Sequence, residues 1–200
     1  MQIYNALIPR DEKRYDVTVA FVEAYTRPTG QESSLVYMNR VRLFPERTAT
    51  SYLPRNFARD LPGHRRDFQR LLKNLTDVGV IVGAPSDQPF VGYFLAEARA
   101  CFPSATNLTA SFSKEPGASV GEATSMEEAV ELIKMSLPQD LQIPDGAVLI
   151  VDNILADGRT AAAILLHLEQ CGVLQSRKVY VAAPLASTRE GPLPPREPTA

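Results

Sequence analysis

The 200-residue chain is poor in cysteine: Cys101 and Cys171 are the only two. They stand in no metal-ligand spacing and read as core thiols of a reducing compartment. No apolar run approaches the ~18 residues that a membrane helix needs, so no membrane partner is expected. The opening MQIYNALIPRDEKRY has only a short apolar patch before a charge cluster, which is not the pattern of a signal peptide. Charge of one sign is lacking as well. The net charge of -2 implies no general affinity for nucleic acid and leaves room only for a local basic patch. A nucleophile elbow, a Walker A loop and zinc-ligand spacing are all missing. What is present is 44% hydrophobic and 22% charged, the profile of a globular chain with a real core. A cytoplasmic protein is expected, with one domain or one domain and an appendage.

The first sixty residues are rich in β-formers. Residues 16–25 (DVTVAFVEAY) and 34–44 (SLVYMNRVRLF) predict strands, and the turn residues between them, Arg27-Pro28-Thr29-Gly30, predict a hairpin. Phe68, Leu71, Leu72 and Leu75 then fall at helical spacing within 57–75. From there strands and helices alternate. Strands are expected at 78–83, 106–112, 147–152 and 178–185, and helices at 88–101, 125–137 and 159–171. Ser125 and Glu128 stand at capping-box spacing. Residues 113–123, rich in Gly, Ser and Pro, predict a mobile loop. Apolar strands alternating with helices imply parallel pairing with helices on both faces. The expected fold is therefore α/β, with 1–60 as an N-terminal β-rich appendage, 61–186 as the core and 187–200 as a Pro-rich extended tail.

Ligands of open parallel sheets bind beyond the carboxyl ends of the strands. In the stretch 146–173, GAVLIVDNILADGRTAAAILLHLEQCGV, an apolar strand ends in Asp152-Asn153 and a buried helix opens at Asp157-Gly158-Arg159-Thr160. A helix N-terminus offers unpaired N–H groups and a positive dipole end, which attract phosphate. Gly158 lets the backbone approach a ligand closely, and Thr160 supplies a hydroxyl. Asp152 can accept hydrogen bonds from sugar hydroxyls. Equally, an Asp-Asn pair at a strand end can simply shape a turn.

The stretch VLIVDNILADGRTAAAILLHL resembles the phosphoribosyl-pyrophosphate (PRPP) signature of type I phosphoribosyltransferases. That signature is a hydrophobic strand, two acids, a short loop ending in Thr-Gly-x-Thr, and an Ala-rich helix. Its Gly158-Arg159-Thr160 piece resembles the uracil-regulator branch. The resemblance covers about residues 77–185 and implies the type I phosphoribosyltransferase fold. It implies that Asp152 holds the ribose hydroxyls of PRPP, beside Asn153, and that Ala156, Asp157, Gly158, Arg159 and Thr160 form the 5'-phosphate loop. Ala84, Pro85, Ser86, Asp87 and Gln88 take the place of the pyrophosphate loop, where the family binds magnesium through pyrophosphate and ribose hydroxyls. Lys114 takes the place of a basic residue that a mobile catalytic loop carries onto the leaving pyrophosphate. Outside the resemblance, Lys114 reads as a solvated lysine and Arg159 as a solvated first-turn arginine.

Two positions depart from the family pattern. Asn153 replaces the second acid and removes a charge near the ribose. Asp157 replaces the hydroxyl residue before the glycine, where it would cap the helix or oppose a phosphate. Two like charges ~4 Å apart cost about 4 kcal/mol at an effective dielectric near 20. The implied activity is pentosyl transfer to a nucleobase, with PRPP or a nucleotide monophosphate bound and a homodimer as the assembly. The alternative is a catalytically weak member that senses nucleotides or PRPP, or an interaction protein. The hood that selects the base in this family would have to come from 1–60. His64, amid Arg55, Arg59, Arg65, Arg66, Arg70 and Lys73, belongs to a basic segment that reads as a solvated helix face, or as a patch for a phosphate or a nucleic-acid backbone. His167, among Leu165, Leu166 and Leu168, reads as a core or interface histidine.

Overall fold

The computed structural model describes residues 17–27, 61–86, 90–118, 120, 123, 125–155, 158–175 and 177–189. The strands are β1 (Val17–Arg27), β2 (Val78–Gly83), β3 (Thr106–Asn107), β4 (Phe112–Lys114), β5 (Ile133–Met135), β6 (Ala147–Val151), β7 (Ile154–Leu155) and β8 (Val179–Arg189). The helices are α1 (Leu61–Leu72), α2 (Phe90–Cys101), α3 (Met126–Leu132) and α4 (Arg159–Gln170).

The expected α/β architecture is present. One sheet runs in the order β1-β8-β6-β2-β3, with β7 also pairing with β8, and all of these pairs are parallel. β2 and β6 are buried along their whole length, which is why they read as continuous apolar runs. Successive strand residues alternate between two packed layers. Val80, Val82, Val148, Ile150, Val179 and Val181 face Ala129 of α3 and Ala161, Ile164, Leu165 and Leu168 of α4. Ile81, Leu149, Val151, Tyr180 and Ala182 face Phe68, Leu71 and Leu72 of α1 and Phe94 and Ala98 of α2. The Phe68 and Phe94 rings meet edge to face with centroids 5.2 Å apart.

β2 and β6 come together over a close backbone crossing. The β2–β6 register shifts between Val78 and Val80. A Cβ on Gly79 would lie 2.1 Å from the Asp145 carbonyl oxygen, and one on Gly146 2.3 Å from that of Asp77. Gly146 also has φ +118, which side-chain-bearing residues rarely adopt. Glycine at both positions permits the bulge that sets this pairing.

Several expected elements differ in extent. The strand expected at 106–112 breaks after Asn107, because the Asn107 carboxamide folds onto Thr109 and a 3-10 turn (Thr109–Ser111) follows. The helix expected to run to 137 stops at Leu132, since Ile133–Met135 pairs antiparallel with β4. The start of the expected loop at 113–123 lies in that ribbon. Ser125 caps α3 as its spacing predicts, accepting from the Glu128 N–H at 3.2 Å. β8 continues to Arg189, into the segment read as tail, because β1 pairs with it as far as Arg27↔Arg189. Among the described residues, the strand expected at 16–25 thus lies at the edge of the core sheet. Its expected hairpin partner at 34–44 and the residues 190–200 lie outside the described residues. His64 is fully buried and so is not part of a solvated face. His167 is half-buried, with Nε2 3.1 Å from the Val130 carbonyl and its ring edge-on to Phe112.

Candidate functional site at the carboxyl ends of β2 and β6

From β2 the chain crosses to β3 on one side and later returns to β6 on the other. The strand order therefore reverses between β2 and β6, and the crevice beyond their carboxyl ends is where such sheets bind ligands. The two ends are joined there. The Ala84 N–H donates to the Val151 carbonyl at 2.8 Å, and the Asp152 N–H to that of Ala182 at 3.0 Å. Ala84 is buried, Pro85 half-buried and Ser86 exposed. The Ala84-Pro85-Ser86 segment and Asp152, far apart in sequence, thus leave adjacent strands at the same end.

Asp152 is buried, with 8% of its surface exposed. Its Oδ1 accepts the Asn153 N–H at 2.7 Å, and its carboxylate also accepts from the Ile154 N–H. Burial pushes the Asp152 carboxyl up to about 6, against the opposing pull of those two bonds. The side chain therefore shapes the turn into β7, and it does so as a poorly solvated acid at a strand end. The segment read as loop after Asn153 is partly strand: Ile154 and Leu155 pair with Leu185 and Ala186 of β8.

The helix entrance is built on Gly158. It is buried and left-handed (φ 79, ψ 4), and its carbonyl accepts the Ala162 N–H at 2.9 Å. Glycine has no side-chain oxygen to cap the N–H groups of the first turn, and that turn holds no acid. Thr160 is half-buried there. Arg159 is half-buried too, and its guanidinium donates to the Ala123 carbonyl, so it ties α4 to Ala123 and is not a freely solvated side chain. Lys114 stands on the separate β4–β5 ribbon, opposite Ile133, and donates to the Ala118 carbonyl at 2.8 Å. Asp87, Ala156 and Asp157 lie outside the described residues. The sequence reading missed Asn107 and Thr109, which hold the end of β2. The signal was an Asn two residues before a Thr at a strand end, the pattern of an Asx turn.

The donors here fit magnesium in one way only. Among residues 84–86, 152–155 and 158–160, Asp152 is the one carboxylate, and no cluster of three His, Cys, Asp or Glu occurs among the described residues. Magnesium commonly keeps several waters and binds through one or two carboxylates and substrate phosphates. Asp152 and Asn153 suit an ion that arrives with a phosphorylated ligand.

A cleft of about 330 Å³ opens at the opposite, amino end of the strands, lined by Thr76, Asp77, Gly146, Ala147, Arg177, Lys178 and Tyr180. Its cations are engaged within the protein. Arg177 donates to the Pro144 and Gly146 carbonyls, and the Lys178 ammonium lies 4.9 Å from the centre of the Tyr180 ring. The carboxyl ends of β2 and β6 have the better chemistry for a ligand, with a buried acid and an uncapped helix start.

No family model and no curated protein matches the sequence. Solved structures similar to this chain include the adenine phosphoribosyltransferase from Thermoanaerobacter pseudethanolicus ATCC 33223. It has 14% identity and a TM-score of 0.40, and the match covers 74% of this chain and 92% of that one. A second adenine phosphoribosyltransferase has 17% identity and a TM-score of 0.38, covering 78% and 94%. Likeness at this level carries no activity across. Among the described residues no helix is long and apolar enough to cross a membrane.

Proposed function

We propose that the crevice binds a phosphorylated ribose, as PRPP or a nucleoside monophosphate, with magnesium, and that the chain is a phosphoribosyltransferase-like protein of the type I fold. The observation that carries this reading is a buried carboxylate, Asp152, at the strand-order reversal. The Ala84-Pro85-Ser86 segment leaves the neighbouring strand there, and the glycine-opened helix α4 follows in the chain. In this reading the first-turn N–H groups of α4 and Thr160 hold the 5'-phosphate. Asp152 accepts from the ribose hydroxyls, and the chain that leaves β2 at Ala84-Pro85-Ser86 receives pyrophosphate. Magnesium, when bound with PRPP, supplies charge neutralisation on the pyrophosphate. Pentosyl transfer to a nucleobase through an oxocarbenium-like ribosyl cation then needs mainly positioning and stabilisation of developing charge.

A second reading has its own support. Asn153 leaves one carboxylate where the family signature has two, and Asp152 already accepts two backbone N–H groups. Both features suit a catalytically weak member that binds PRPP or nucleotides as a sensor. The two readings share the ligand and differ in turnover.

Calorimetric titration of the parent and Asp152→Ala tests the shared part. PRPP with magnesium and a nucleoside monophosphate should both bind the parent. Asp152→Ala should weaken them at least tenfold, about one charged hydrogen bond, and leave inorganic phosphate unchanged. Equal loss for phosphate and ribosylated ligands would mean that Asp152 supports only the backbone. Because burial pushes the Asp152 carboxyl up to about 6, binding of the ribosylated ligands should weaken as pH falls below that value. Product release on adding nucleobases separates enzyme from sensor.

A further inference from the structure

We infer that Thr109, oriented by Asn107, is a positioning residue for the pyrophosphate side of this site. The inference rests on the PRPP reading above. β3 pairs with β2 only at Val80↔Thr106 and Ile81↔Asn107, and the Leu108 N–H donates to the Ile81 carbonyl at 2.8 Å. β3 then ends, so the amide of Gly83, two residues farther along β2, meets no strand. The Thr109 hydroxyl oxygen takes that place and accepts the Gly83 N–H at 2.7 Å.

The hydroxyl is itself oriented. Its O–H donates to Asn107 Oδ1 at 2.7 Å, and the same oxygen accepts the Thr109 N–H at 3.1 Å. With its proton committed to Asn107, the hydroxyl presents lone pairs to Gly83. On the other side of the chain the next amide, Ala84 N–H, is held by the Val151 carbonyl of β6. A Cβ on Gly83 would lie 3.0 Å from Thr109 Cγ2 and 3.2 Å from Leu95 Cδ2, so the packing around this glycine is also tight. The last peptides of β2 are thus gripped on both sides, by the Thr109 hydroxyl beyond the end of β3 and by Val151 of β6. That grip sets the direction in which Ala84-Pro85-Ser86 departs relative to Asp152. Thr109 acts on a ligand only through this segment.

The contact predicts a selective effect. Thr109→Val keeps the shape and removes the acceptor, whereas Thr109→Ser keeps the acceptor. Each is titrated with PRPP and magnesium, with inorganic pyrophosphate and magnesium, and with a nucleoside monophosphate. Thr109→Val should weaken PRPP and pyrophosphate about tenfold, the worth of one net hydrogen bond. The monophosphate, held at Asp152 and the α4 entrance, should bind as to the parent. Thr109→Ser should restore most of the loss. Asn107→Ala, which leaves Thr109 intact but unoriented, should show the same selectivity more weakly and serves if Thr109→Val does not fold. Equal weakening of all ligands, or none, overturns the inference while the PRPP reading stands. A parent that binds none of the three overturns both.

Discussion

Asp152 is the residue on which the proposed site rests, and its burial makes a stability prediction. An unfolded aspartate titrates near ~3.9, whereas burial holds this one to about 6. The folded state therefore keeps its proton to higher pH than the unfolded state. Below both values the group has no effect on stability. As pH rises through that window the folded state loses ground, and above it the full penalty applies, up to about 3 kcal/mol. Asp152→Asn should unfold at higher urea concentration than the parent at pH 8, with the advantage gone by about pH 4. An equal offset at every pH would mean that the carboxylate is well solvated in the native state. The position of Asp152 was legible, since an apolar run ends on it. Its turn onto the Asn153 and Ile154 amides was not, because that turn depends on Ile154 pairing with Leu185 of β8. His64 was misread from its arginine neighbours, although it stands four residues before Phe68, on the stripe that faces the core.

Among the elements, those set by local pattern were readable and those set by a distant partner were not. β2, α2, β6 and α4 follow from apolar runs and helical spacing. β5 does not: Ile133–Met135 continues a helical pattern in sequence and becomes strand only because β4 offers it a ladder. The bulge where β2 crosses the 145–146 backbone is likewise invisible without β6. It gives the sharpest test of the pairing. Gly79→Ala places a Cβ 2.1 Å from the Asp145 carbonyl oxygen, a backbone atom that cannot swing aside. The cost should be about 3 kcal/mol, as for overpacking in a rigid core, read as a lower urea midpoint. Gly92→Ala on α2 has open space around it and should be neutral or slightly stabilising. A harmless Gly79→Ala would contradict the β2–β6 register.

At the scale of the whole molecule, the strand order makes the site. The sequence names three strand ends that could bind a ligand but cannot say which lie side by side, because the side of β2 that β6 takes is a long-range choice. The β1-β8-β6-β2-β3 order puts the ends of β2 and β6 together. The end of the third, at Phe112-Ser113-Lys114, goes to the antiparallel ribbon. The central claim is that a phosphorylated ribose binds where β2 and β6 end. Amide-resolved NMR during addition of PRPP and magnesium tests it most directly. The account predicts saturable shifts at Ala84, Ser86, Asn153 and Gly158 to Thr160, with Thr76, Asp77 and Lys178 at the amino end unmoved. Shifts confined to the amino-end cleft, or none anywhere, would contradict it.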